Sequence, residues 1–210
     1  MTSIRAIALA ACACAVPAVA IAAKPAPTTV SIAVSPTTIT FGKAATVSGM
    51  TAPNRSLTLR ADPFPYDGSF AQTARTTSNA SGAYSFTVSP DRGTHYRVDA
   101  KAHSQSAIAA LAVRWKVTRT VSTRHPARGA RVRFSGTVGP ANTGGTIKLQ
   151  RLTATGFKTV KTAILVAATS TSSSYSLRVR VRRNGTYRAH VAADGAHLAG
   201  NSARISLVVH

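Results

Sequence analysis

The chain has 210 residues, of which 26 are Lys or Arg and 5 are acidic, for a formal charge of +21. There is no Glu, and Asp62, Asp67, Asp91, Asp99 and Asp194 are scattered, which leaves little material for paired-carboxylate catalysis or carboxylate-rich metal sites. With 44% hydrophobic residues the chain is too apolar for a disordered polyelectrolyte and long enough for one large domain or two smaller ones, so the charge speaks of partners and solubility.

Residues 1–23 read as a secretory signal. Arg5 begins it, an uncharged run of mostly Ala, Ile, Leu and Val follows over 6–23, and Pro17 precedes two small-x-small cleavage sites, Ala18-Val19-Ala20 and Ala20-Ile21-Ala22. An Ala-rich run broken by Pro makes a poor membrane span, so no transmembrane segment is expected in the mature chain. Leu9-Ala10-Ala11-Cys12 also spells a lipobox, which makes a lipoprotein anchored through Cys12 the alternative. The short apolar stretch between Arg5 and Cys12 weighs against it. Cleavage removes Cys12 and Cys14, and with them disulfide, thiol and thiolate-metal chemistry. Residues 24–29 form a linker, and the expected location is outside the cell or on its surface.

The rest of the chain repeats. Thr46-Val47-Ser48-Gly49 returns as Arg133-Phe134-Ser135-Gly136, and Ser56-Leu57-Thr58-Leu59-Arg60 as Thr146-Ile147-Lys148-Leu149-Gln150. Gly82-Ala83-Tyr84-Ser85-Phe86 returns as Ser173-Ser174-Tyr175-Ser176-Leu177, and Gly93-Thr94-His95-Tyr96-Arg97 as Asn184-Gly185-Thr186-Tyr187-Arg188. Ser106-Ala107 returns as Ser202-Ala203. Order is preserved and the offset drifts slowly, as small loop insertions require. The repeats are 30–113 and 114–210. In the first, short alternating runs fall at 30–34, 44–49, 56–60, 70–76, 84–88, 95–100 and 107–113. In the second they fall at 115–121, 130–137, 146–151, 157–166, 175–181, 186–192 and 204–209. Clusters of Gly, Pro, Asn and Ser separate them, and no helical stripe of apolar residues appears beyond the signal. The expectation is an all-β chain of two tandem seven-stranded antiparallel β-sandwiches.

The Val-Ser-Gly or Phe-Ser-Gly strand, the Leu-x-Arg or Leu-Gln-Arg strand, the Gly-x-Tyr-Ser strand, from which the second repeat departs at Ser173-Ser174, and the Gly-Thr-x-Tyr-Arg strand together resemble the bacterial immunoglobulin-like domains of secreted, often actinobacterial, proteins. The resemblance covers nearly all of 28–209. It implies spacer, adhesion or appendage roles rather than one activity. The cysteine pair of antibody-type domains is missing, so packing alone must join the sheets.

The charge divides unevenly. Residues 24–113 carry 8 basic and 4 acidic groups, whereas 114–210 carry 17 basic groups and Asp194 alone. In Leu177-Arg178-Val179-Arg180-Val181-Arg182 the apolar residues share one face and the arginines the other, and Arg131-Val132-Arg133-Phe134 repeats the pattern. In an immunoglobulin-like topology these two strands pair. The expected polyanion-binding face is therefore Arg131, Arg133, Arg178, Arg180 and Arg182, with Lys116 beside it. The matching positions of the first repeat are Ala44, Thr46, Thr87, Ser89 and Asp91, so the fold itself does not require the arginines. A charged outer face that only discourages aggregation is the competing reading.

Asp62, Phe64, Tyr66, Asp67 and Phe70 make a loop whose aromatics suit stacking on sugar rings, or folding over a sheet edge. Two Asp with backbone carbonyls make a poor calcium set, and no metal or cofactor is expected. Trp115 is expected at the junction of the repeats, and Tyr96 and Tyr187 in the cores with hydroxyls bonded to a neighbouring loop. The histidines lack zinc-ligand spacing and no Gly-x-Ser-x-Gly elbow occurs, so no catalytic residue is assigned. The expected protein is a secreted, non-enzymatic, monomeric module docking on an anionic cell-wall polymer or other polyanion, without sequence-specific nucleic-acid recognition. A ligand-free spacer and a carbohydrate-binding module acting through the 62–70 loop are the alternatives.

Overall fold

The computed structural model describes residues 29–100 and 104–210. The expected signal, the lipobox and the linker up to residue 28 lie outside the described residues, among which the chain is all-β with no helix.

Eight strands precede Trp115: β1 (Ala33–Ser35), β2 (Thr38–Thr40), β3 (Ala45–Met50), β4 (Ser56–Pro63), β5 (Ala71–Thr77), β6 (Ala83–Val88), β7 (Thr94–Ala100) and β8 (Ala109–Arg114). They form a three-stranded sheet ordered β1-β3-β6 and a five-stranded sheet ordered β2-β8-β7-β4-β5. Ten follow: β9 (Lys116–Val117), β10 (Thr120–Val121), β11 (Arg131–Gly139), β12 (Thr146–Thr153), β13 (Gly156–Ile164), β14 (Val166–Thr169), β15 (Ser172–Arg180), β16 (Gly185–Val191), β17 (Gly200–Asn201) and β18 (Ile205–Leu207). One sheet runs β10-β11-β15-β14 with β9 also on β11, and the other runs β13-β12-β16-β17 with β18 also on β16. All pairs are antiparallel except β2 with β8.

The strands exceed the seven runs per repeat because chain segments change partners. After β1 pairs with β3, Pro36 interrupts the edge and β2 joins β8 in the other sheet. The run 157–166 likewise divides at Leu165. β13 ends on β12 and β14 begins on β15, while Leu165 is buried between them and bonds Gly145 through its own N–H (2.8 Å).

Alternation drives the burial. In β11, Val132, Phe134 and Val138 point into a core shared with Leu177 and Tyr175 of β15 and with Ile147, Leu149, Tyr187 and Ala189 of the other sheet. Val47, Tyr84 and Phe86 meet Leu57, Leu59, Tyr96 and Val98 in a second, separate core. Burying each large apolar side chain stabilises by about 1.5–3 kcal/mol, and no cysteine lies among the described residues.

The repeated motifs have repeated jobs. Tyr175, opposite Gly136 in the β11–β15 pair, donates its hydroxyl to the Thr118 carbonyl (2.8 Å). Tyr84, opposite Gly49, donates to the Ser31 carbonyl in the same way. A Cβ at either glycine would run into that carbonyl and the phenol, which explains the Ser-Gly of both repeats. Tyr96 and Tyr187 are core residues as expected, but the tyrosines bonded to a neighbouring segment are Tyr84 and Tyr175. Ser106 and Ser202, both buried, each accept a backbone N–H bond of 2.9 Å, from Val98 and Ala189 respectively.

Gly136→Ala is expected to lower stability by about 1–3 kcal/mol through overpacking, seen as a lower urea midpoint at unchanged slope. Burial pushes the Tyr84 and Tyr96 phenols from 10 up to about 12, and Tyr175 further. A phenol whose folded value is raised contributes stability that is complete below its unfolded value and is lost as pH climbs. Stability is therefore expected to fall as pH climbs from 10 to about 12, read as a urea midpoint that drops across that window.

Candidate functional site

The register of β11 on β15 sets the candidate site. Val132 faces Val179 and Phe134 faces Leu177 on the core side, which puts Arg131 directly opposite Arg180 and Arg133 directly opposite Arg178. All four arginines are exposed. Opposed residues lie about 5 Å apart and alternate residues along a strand about 7 Å apart, so the four side chains rise from a compact rectangle of backbone. Arg182 is also exposed but lies two residues beyond the end of β15, extending the row rather than completing it. Lys116 is not beside this group: it pairs with Gly139, at the far end of β11.

Further along the same two strands the outward residues are hydroxylic. Ser135 faces Ser176 and Thr137 faces Ser174, with Thr118 and Thr120 bonded to Thr137 and Ser135 through their hydroxyls (2.8 and 2.9 Å). The outer surface thus joins an arginine block to a hydroxyl block. Lys161 of β13 adds a cation that the sequence pattern missed, since its Nζ reaches across to donate to the Arg178 carbonyl (2.9 Å).

Among the described residues no Lys or Arg of the second repeat forms an ion pair, and Asp194 is engaged by His197. Like charges directly opposite one another in a sheet destabilise by a few tenths to about 1 kcal/mol per pair. In the first repeat the pair corresponding to Arg133 and Arg178 is Thr46 opposite Thr87, flanked by the same core contact, Val47 opposite Phe86.

The 62–70 loop has internal partners. Asp62 is buried and accepts from the Gly68 N–H (3.2 Å), while Asp67 is exposed and caps Ser69 (2.8 Å), so the two carboxylates serve separate turns. Phe70 lies under the Arg97 guanidinium (4.6 Å). Tyr66 stacks on His95 (4.0 Å) with its hydroxyl against Gly93, and Phe64 packs on Gly195 of the second repeat. Nearby, Gly93 donates to the Ala196 carbonyl (2.8 Å). His197 donates from Nε2 to the Asp91 carbonyl (3.0 Å), holds Nδ1 3.1 Å from Asp194, and stacks on Trp115 (3.8 Å). Trp115 is buried at the junction of the repeats, as expected from its position.

A second group of cations escaped the sequence reading. On the outer side of the β12–β16 pair, Lys148 faces His190 and Gln150 faces Arg188, with Phe157 of β13 under both Arg188 (3.8 Å) and Arg204 (5.3 Å). Burial, and then the charge of Arg204, hold the Arg188 guanidinium below its usual value. The alternation in Lys148-Leu149-Gln150 and Arg188-Ala189-His190 carried the signal, but only partners from three strands make it a cluster.

No family model matches the chain, and no curated protein matches it. Among solved structures it is similar to Escherichia coli alpha-2-macroglobulin in its native conformation, at 12% identity and a TM-score of 0.37, covering 87% of this chain and 17% of that one. It is similar also to red sea bream transglutaminase, at 14% identity and a TM-score of 0.42, covering 88% of this chain and 32% of that one. The chain therefore spans a third or less of the length of these structures.

His197→Ala is expected to uncover Trp115 without unfolding either core, because both cores are complete without it. Acrylamide should then quench the single Trp more efficiently, while the far-ultraviolet spectrum stays unchanged.

Proposed function

We propose that the chain is a secreted, non-enzymatic pair of immunoglobulin-like sandwiches whose second repeat docks electrostatically on an anionic extracellular polymer. The observation that carries this reading is the β11–β15 register, which sets Arg131 opposite Arg180 and Arg133 opposite Arg178 on one exposed surface. Guanidinium groups present planar forks that suit carboxylate, phosphate and sulfate oxygens, and several on one face engage successive anions of a chain. The internal repeat supports a role in binding, since the same sheet is built in the first repeat from Thr and Ser without the cost of like-charge repulsion. The hydroxyl block beside the arginines adds neutral donors and acceptors for a hydrated polymer.

An open hollow of about 420 Å³ in the first repeat is lined mainly by apolar and hydroxyl side chains, among them Leu59, Ala61, Val88 and Tyr96, with Asp91 as its one carboxylate and no histidine. Among the described residues no three His, Cys, Asp or Glu gather as a metal site. Among the same residues no helix is long and apolar enough to cross a membrane.

On heparin resin the intact chain is expected to be retained and to elute at a salt concentration that falls sharply in Arg178→Ser/Arg180→Ser/Arg182→Ser. Each lost contact should lower the slope of log affinity against log salt by about one, by analogy with phosphate contacts. Elution of the triple variant with the unaltered chain would overturn the β11–β15 face as the contact.

A further inference from the structure

The five-stranded sheet of the first repeat carries a solved version of the problem that its counterpart in the second repeat leaves open. In the first, Arg97 lies over Phe70 (4.6 Å) and donates to Asp99 Oδ1 (3.1 Å), while Arg60 donates to the other oxygen of the same carboxylate. Arg60 faces Arg97 and Thr58 faces Asp99 across the β4–β7 pair. One aspartate thus sits between two arginines beside an aromatic ring.

The second repeat keeps the ring and the stacked arginine and changes the rest. Phe157 stands for Phe70 and Arg188 for Arg97. Gln150 stands for Arg60 and accepts from Arg188 Nε (2.9 Å), a neutral partner that fills the direction without matching the charge. Lys148 stands for Thr58 and His190 for Asp99, and these two face each other. Arg204, in the place of Ile108, brings a second guanidinium over Phe157 (5.3 Å). The carboxylate is gone and the cations have increased, with Arg188 and Arg204 converging on Phe157 and Lys148 on the same pair of strands, where the first repeat has a neutralised pair. Among the described residues none of the three makes an ion pair.

We propose that this outer face of β12 and β16 is a second anion site, in which a carboxylate of a uronic-acid polymer pairs with the Arg188 and Arg204 guanidinium groups as Asp99 pairs with Arg60 and Arg97 in the first repeat. The occupant follows from the template: the group that satisfies this ring-and-arginine arrangement within the same chain is a carboxylate. The charge is complementary, and the partly buried Arg188 and Phe157 give the site a defined floor. This sheet lies on the other side of the core from β11 and β15, so the second repeat presents cations on both of its layers. The proposal extends the polymer-docking reading and does not need the β11–β15 arginines to be the contact.

The test exchanges charged residues in the intact chain, taking the first repeat's residues where they serve. Oligogalacturonate is titrated calorimetrically into the unaltered chain and into a background in which Arg131→Ala, Arg133→Thr, Arg178→Thr and Arg180→Ser remove the arginine block. His190→Asp, Arg204→Ser or, as a charge-matched control on an exposed turn, Lys43→Ser is then added to that background. The background is expected to keep binding. His190→Asp, by supplying the internal carboxylate, and Arg204→Ser, by removing a cation without creating a pair, should each weaken it about tenfold, the loss expected for one charged hydrogen bond, and Lys43→Ser by less than about twofold. No binding by the background, or equal effects of all three changes, overturns the second site. If removing the arginine block changes nothing while His190→Asp weakens binding, the second site stands and the β11–β15 face is the part that fails. Tighter binding of duplex DNA of equal charge overturns the choice of a uronic polymer.

Discussion

Burying Val132 and Phe134 against Val179 and Leu177 fixes where the arginines of β11 and β15 must go. A strand has two faces, and once the apolar set is committed to the core the intervening residues can only point outward. Shifting either strand by one residue would drive its two guanidinium groups into a core that offers them no carboxylate, at a cost of several kcal/mol per ion. The apolar pairs therefore enforce the opposition Arg131–Arg180 and Arg133–Arg178 even though the charges repel. The electrostatics of the surface is a consequence of how the core is packed.

The same packing logic organises what surrounds the surface. Tyr175 reaches over Gly136 to the Thr118 carbonyl and so ties the segment between β9 and β10 to the sheet that carries the arginines. Leu165, inserted in the core where β13 gives way to β14, lets one run of chain serve both sheets of the second repeat. Lys161 uses that proximity to reach the Arg178 carbonyl. At the junction, His197, stacked on Trp115 and bonded to Asp194, donates to the Asp91 carbonyl of the first repeat, and the Phe64 and Tyr66 rings fill the space beside Gly195 and Gly93. The one carboxylate of the second repeat is thus used in joining the repeats.

Strand parity made the arginine face readable from the sequence, because a period of two with a single apolar face admits one solution for Leu177-Arg178-Val179-Arg180. The pairing register between distant strands was not readable in the same way, which is why Lys116 falls opposite Gly139 instead of beside Arg131. Four tyrosines in repeated motifs look alike in sequence. Only their placement on different sheets separates Tyr84 and Tyr175, whose hydroxyls bind a neighbouring segment, from Tyr96 and Tyr187. The aromatic loop 62–70 shows the same limit: its composition suits a sugar or a buried edge equally, and contacts with residues more than 100 positions away, such as Phe64 on Gly195, cannot be seen in local pattern. Phe157, Arg188 and Arg204 come from three segments, so no single stretch announces them.

The two repeats amount to an internal comparison of one fold with and without a cationic surface, and the central claim can be read by exchanging the surface alone. The measurement is the salt dependence of the dissociation constant for heparin, taken on the intact chain and on the chain carrying Arg131→Ala, Arg133→Thr, Arg178→Thr and Arg180→Ser, with urea unfolding run on both. The account predicts a slope lower by about four and a stability equal to or above that of the unaltered chain, since the like-charge pairs are removed. An unchanged slope at unchanged stability would contradict it.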